Sequence, residues 1–159
     1  MPTITKNRYQ DTQNFGESPY GNLMVLEFNV TTAANGAVVS SNSNAAVLAA
    51  DVIRVGLLPA GFRIYDSLTI VSDAFTASVT GSIGFAYEDG VDDATVPQDV
   101  DYFGAGVTLA TAGRYRASNN TVRPVTLPKP AWLTITTAGA THSTVAVADI
   151  LITGEFIGV

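Results

Sequence analysis

The chain has 159 residues, of which 47% are apolar and only 14% charged, with no cysteine and a formal net charge of −6. Such a composition belongs to a folding chain rather than a disordered one, and a single core of this length buries roughly 70% of the surface that the unfolded chain exposes. It excludes disulfide scaffolds, thiolate metal sites and cysteine nucleophiles, and the acidic balance argues against a nucleic-acid partner.

Residues 1–20 are polar, carry Tyr9, Phe15 and Tyr20 without a sustained period, and contain no apolar stretch that would make a signal peptide. Two readings of them stay open. One is a disordered terminus. The other is an N-terminal arm that orders on a neighbouring subunit, with the aromatics as anchors. The low charge also hints that other subunits cover much of the surface, although a stable monomer is compatible with it. Residues 21–159 read as one β-sandwich domain.

From residue 23 the apolar period is two. Met24, Leu26, Phe28 and Val30 alternate with Val25, Glu27 and Asn29, which predicts a strand near 23–31. Asn35-Gly36 is a turn signal, and a short strand is expected at 37–41. Asn44 and the alanines after it favour a helix, but Val52-Ile53-Arg54-Val55 is rich in β-branched residues. A strand from about residue 51 is expected, with the alanines as a short helical turn or extended. Leu58-Pro59-Ala60-Gly61 suits a type I turn. It leads into a strand at 62–72 with Phe62, Ile64, Leu68 and Ile70 in the apolar register and Asp66 as the polar exception. Ile83, Phe85 and Tyr87 mark a strand at 82–88, and further strands are expected at 100–110 and 114–126. Pro124, Pro128 and Pro130 frame a loop before a strand at 131–138, where Leu133 and Ile135 point inward. A long final strand at 143–157 holds Ala146, Ala148, Ile150, Ile152 and Phe156 in one register. The stretch 45–62 is apolar but broken by Asp51, Arg54 and Pro59, so it is no membrane-spanning helix. About eight short strands without a repeat predict an all-β fold, an antiparallel sandwich in jelly-roll order.

Little in the chain suggests chemistry. The one histidine, His142, stands in a loop and reads as a surface residue; alone it falls short of a metal site. Gly81-Ser82-Ile83-Gly84 has the wrong order for a nucleophile elbow and feeds a strand. No catalytic residue, cofactor site or metal site is assigned. Two charged groups stand out instead. Glu88, Asp89, Asp92, Asp93, Asp99 and Asp101 lie in one segment without a base, and the rest of the chain is charge-balanced. That segment reads as a solvated loop, as a Ca²⁺ site through Asp89, Asp92 and Asp93 whose spacing fails the EF-hand order, or as a contact for a basic patch on a partner. Arg114, Arg116, Arg123 and Lys129 form a basic cluster. With Tyr115, Arg114 and Arg116 suit an interface. Alternatively, the cluster pairs with the acidic loop inside one chain.

Two stretches carry a resemblance. One is Ala50-Asp51-Val52-Ile53-Arg54-Val55-Gly56-Leu57-Leu58-Pro59-Ala60-Gly61-Phe62-Arg63-Ile64-Tyr65-Asp66. The other is Ser82-Ile83-Gly84-Phe85-Ala86-Tyr87-Glu88-Asp89-Gly90. Together they resemble the small β-sandwich head proteins of tailed bacteriophages, the decoration or cement proteins. The likeness covers about residues 48–90. It implies a non-enzymatic capsid decoration protein on the outside of the virion, made in the bacterial host cytoplasm. Its implied partners are the major capsid protein and itself, as a dimer or trimer, with no nucleic acid and no membrane. The N-terminal arm and the acidic loop are not part of the pattern. The competing reading is a carbohydrate- or receptor-binding sandwich of a phage head or tail fibre. It would use Trp132, Tyr102 and Tyr115 as stacking platforms. Trp132 lies off the apolar register of its strand, so it is either exposed or buried at a subunit contact.

Overall fold

The computed structural model describes residues 3–5 and 23–157. Among them are ten strands: β1 (Thr3–Thr5), β2 (Leu23–Thr32), β3 (Val52–Leu58), β4 (Phe62–Asp73), β5 (Thr80–Tyr87), β6 (Asp99–Thr108), β7 (Gly113–Arg116), β8 (Val125–Thr126), β9 (Ala131–Ala138) and β10 (Ala146–Phe156). They form two sheets. The first runs β1-β3-β9-β5-β6 and the second β2-β10-β4-β7, with β8 also paired to β4. Setting β1 and β8 aside, this interleaving of early and late strands is the eight-strand jelly roll, two Greek keys wound together.

Alternation explains the packing. Leu26, Phe28 and Val30 of β2, Ile150 and Ile152 of β10, and Phe62 and Ile64 of β4 are buried on the inner side of the second sheet. Ile53 and Val55 of β3, Ile83 and Phe85 of β5, and Leu133 and Ile135 of β9 face them from the first. Each such Leu, Ile or Phe contributes roughly 1.5–3 kcal/mol when fully removed from water.

Four expectations need correction. The 37–41 segment is not a strand. Val38 makes an isolated bridge to Thr32, and Ser40 has a φ of 56°, a left-handed value that ends extended pairing. The 114–126 strand splits into β7 and β8, because Asn119 turns its side chain back to accept from the Thr121 amide and Pro124 offers no N–H. The apolar register of β4 flips midway. Thr153 pairs with Asp66 while Gly154 pairs with Ile64, so Tyr65 is an extra residue in a bulge. Beyond it Ser67, Thr69 and Val71 point into the core, and Leu68 and Ile70 point outward. Phe156 ends β10 at 38% exposure rather than in the core.

The alanine stretch is a loop, and β3 begins at Val52, one residue past the expected start. Of the expected N-terminal arm, Thr3–Thr5 is β1, paired in parallel with β3, with Ile4 buried. Tyr9, Phe15 and Tyr20 lie outside the described residues.

Candidate functional site

The acidic loop between β5 and β6 is built by its own carboxylates. Asp89 accepts from the Val91 amide at 2.9 Å, Asp92 from the amides of Asp93 and Gln98 at 2.9 and 2.7 Å, and Asp93 from those of Thr95 and Val96 at 2.8 and 3.0 Å. Each aspartate caps backbone donors that a turn leaves orphaned. Lys129, from the loop before β9, reaches Asp89 at 2.8 Å. It also donates to the Val91 carbonyl at 2.6 Å and stands 4.6 Å from the centre of the Tyr87 ring. The basic cluster therefore does pair with the acidic loop within one chain, through this lysine.

The electrostatics follow. Lys129 first, then the Val91 amide, holds the Asp89 carboxyl below the usual range. The Val96 and Thr95 amides do the same for Asp93. Burial raises Asp99, helped by the hydrogen-bonding side chain of Asp101. Burial, reinforced by the field of Asp93, Asp92 and Asp89, pushes the Tyr87 phenol up to about 12. Gly84 lets this loop close onto the sheet: a Cβ there would lie 2.1 Å from the Asp99 carbonyl oxygen. Among the described residues no group of three or more His, Asp or Glu side chains is placed to hold a metal ion. A cleft of about 360 Å³ separates the loop from residues 121–125; Phe85, Val96, Tyr102, Val122 and Val125 floor it, with Asp99 and Arg123 among its lining.

The other candidates scatter. Arg116 pairs with Asp66 at 2.5 Å and stays 74% exposed. Arg114 is two residues away on the same side of β7, also exposed. Tyr115 points the other way, packs against the core and donates to the Thr111 carbonyl at 2.7 Å. Arg114 and Arg116 thus share a face that Tyr115 does not.

Trp132 and Tyr102 are 5% and 7% exposed. Trp132 belongs to the central strand of its sheet, and the Arg54 guanidinium lies 5.5 Å from its ring centre. Tyr102 donates to the Arg123 carbonyl at 2.7 Å. Neither ring offers an open face for stacking.

His142 is the largest departure from the sequence reading, since it is fully buried. The Thr76 amide donates to Nδ1 at 3.1 Å. That nitrogen therefore carries the lone pair, and Nε2–H donates to the Thr32 hydroxyl at 2.8 Å. The Thr32 hydroxyl in turn donates to the Thr144 carbonyl at 2.9 Å, and Phe75 lies against the imidazole at 4.6 Å between ring centres. A loop position gave no signal of this, because the apolar cover comes from segments distant in sequence.

These strands and loops define the class: a two-sheet jelly roll whose described residues assemble no metal cluster and include no helix long and apolar enough to cross a membrane. No family model matches the chain, and no curated protein matches it. Among solved structures it is similar to a chain in the capsid of Ralstonia phage GP4, with a TM-score of 0.64 and 15% identity, over 99% of this chain and 100% of that one. It is also similar to a chain in the Cyanophage Pam1 capsid asymmetric unit, with a TM-score of 0.51 and 14% identity, over 92% and 95% of the two chains. At these identities the likeness is one of fold.

Proposed function

We propose that the protein is a non-enzymatic structural subunit of a phage particle, one that decorates the capsid and stabilises it across joints between major capsid subunits. The observation that carries this reading is the end-to-end match to a chain of a phage capsid, which leaves neither chain with an unmatched domain. The composition supports it. A stiff, weakly charged sandwich strengthens a shell by adding apolar contacts, each worth roughly 25 cal/mol per Å² before the costs of association. The carbohydrate-binding reading loses its support, because Trp132 and Tyr102 are buried and Tyr115 turns inward.

The test uses shells assembled from major capsid protein alone. Adding the full chain should label the outer surface and raise the temperature at which the shells rupture. Replacing Tyr9, Phe15 and Tyr20 by serine, which leaves β1 in place, should weaken that binding if these aromatics anchor an arm. Shells that neither bind the full chain nor gain heat resistance would remove the capsid from the account. Binding that ignores those replacements would remove only the arm.

A further inference from the structure

The outer face of the second sheet carries an ordered pattern. Glu27, Leu151, Leu68 and Arg116 are successive backbone partners across β2, β10, β4 and β7. Backbone partners point to the same side of a sheet. Leu26, Phe28, Ile150 and Ile152 point inward, so this row points out. The next row is Asn29, Asp149, Ile70 and Arg114, with Asn29 donating to the Asp149 carboxylate at 2.6 Å. In the first row a carboxylate stands on β2, a guanidinium on β7 and two leucines between them; in the second the carboxylate stands on β10, and Asp66 of β4 holds Arg116 on the same face. Glu27, Arg114 and Arg116 are exposed, and Leu151, Leu68 and Ile70 are half-buried. Val25, beside Glu27 on the same face, is 52% exposed.

We propose that a second copy of this chain docks on this face, about a two-fold axis parallel to the strands and lying between β10 and β4. That rotation sets β2 of each copy opposite β7 of the other, and β10 opposite β4. Glu27 then meets Arg116 of the partner, Leu151 meets Leu68, and each contact occurs twice, as a self-complementary interface requires. In the next row Arg114 faces Asn29 of the partner with Asp149 one strand away, about 4.8 Å. Arg116 serves both its own Asp66 and the incoming Glu27, since a guanidinium has several donors. Four strands are roughly 19 Å across, and the eleven residues of β10 run roughly 36 Å. Because β7 contributes only four residues, the footprint is roughly 600 Å² per subunit, below the ~800 Å² of an ordinary stable interface but above the ~400 Å² per side of a typical lattice contact. The β4 bulge is what makes the face possible, because it turns Leu68 and Ile70 outward.

This inference stands apart from the capsid reading, since it concerns the isolated chain and either can fail alone. The test is sedimentation of the full chain at roughly 1–100 μM, bracketing ordinary interface affinities. A dimer is expected. Glu27→Arg and Arg116→Glu should each weaken it at least about tenfold, because each puts two like-charge contacts in the interface. An equimolar mixture of the two variants should restore the dimer, since in the mixed pair both contacts again join a carboxylate to a guanidinium. The milder Glu27→Gln and Arg116→Gln should weaken it less. Circular dichroism checks that all four keep the sandwich, which is expected for exposed positions. A monomer throughout, as when the face serves only a capsid subunit, overturns the proposal. So does an oligomer of any other size, one whose mass ignores both reversals, or a mixture that stays dissociated.

Discussion

His142 ties three segments that are far apart in sequence. Its ring joins Thr32 at the end of β2 to Thr76 after β4, and its own amide donates to the Val47 carbonyl at 2.8 Å. Gly36 completes the junction with a φ of 80°; a Cβ there would lie 2.1 Å from the His142 carbonyl oxygen. Burial pulls the imidazole below its ordinary value of 6.5. A second proton would also set Nδ1–H against the Thr76 N–H. The unfolded chain thus binds the proton more readily than the folded one, so stability rises with pH across this window. The contribution is complete above 6.5 and is lost as pH falls from there toward the depressed value. His142→Gln should cost about 1–3 kcal/mol at neutral pH by leaving buried donors and acceptors unmatched, and should flatten that part of the pH profile. Thermal melts of both proteins between about pH 5 and about pH 7.5 check it. Parallel profiles would show that the imidazole does not titrate with folding.

At the scale of elements, local hydrogen bonds and sheet pairing divide the work. The acidic loop is shaped by its own carboxylates, because Asp89, Asp92 and Asp93 accept from amides of the same loop. Asp93→Ala should therefore speed hydrogen exchange at Thr95 and Val96 while leaving β5 protected. Unchanged exchange at those two amides would refute the capping role. Acid should loosen the same turn. The Asp93 carboxyl sits below its ordinary 3.8, so its contribution is complete above that value and is lost as pH falls through the depressed one. The β4 bulge acts at longer range. One inserted residue reverses which side chains face the core and so decides that Leu68 and Ile70 are surface residues.

Across the whole molecule, the charge that composition concentrates in one loop is partly answered within the chain by Lys129. Arg116 on β7 pairs with Asp66, and in the proposed dimer the β7 arginines also face the β2 edge of the second copy. Self-association through that sheet should weaken as NaCl is raised from about 0.05 to about 0.5 M, because rim charges are screened beyond a Debye length that falls from roughly 14 to roughly 4 Å. Sedimentation across the salt series measures this; an association constant that does not move would leave Glu27 and Arg116 without a part in it.

Much of the fold was legible in the amino-acid order. Period-two alternation and the Pro59–Gly61 turn announced the strands, since alternation is a local consequence of one buried face, whereas the strand expected after Asn35-Gly36 is absent. Composition alone ruled out thiol chemistry. The tertiary structure alone decided whether Trp132 and His142 were covered, where the register of β4 reversed, and which charges met. The physical reason is common to all three. Burial, bulge position and ion pairing depend on what packs from another strand or loop, and a residue's sequence neighbours carry no record of that packing.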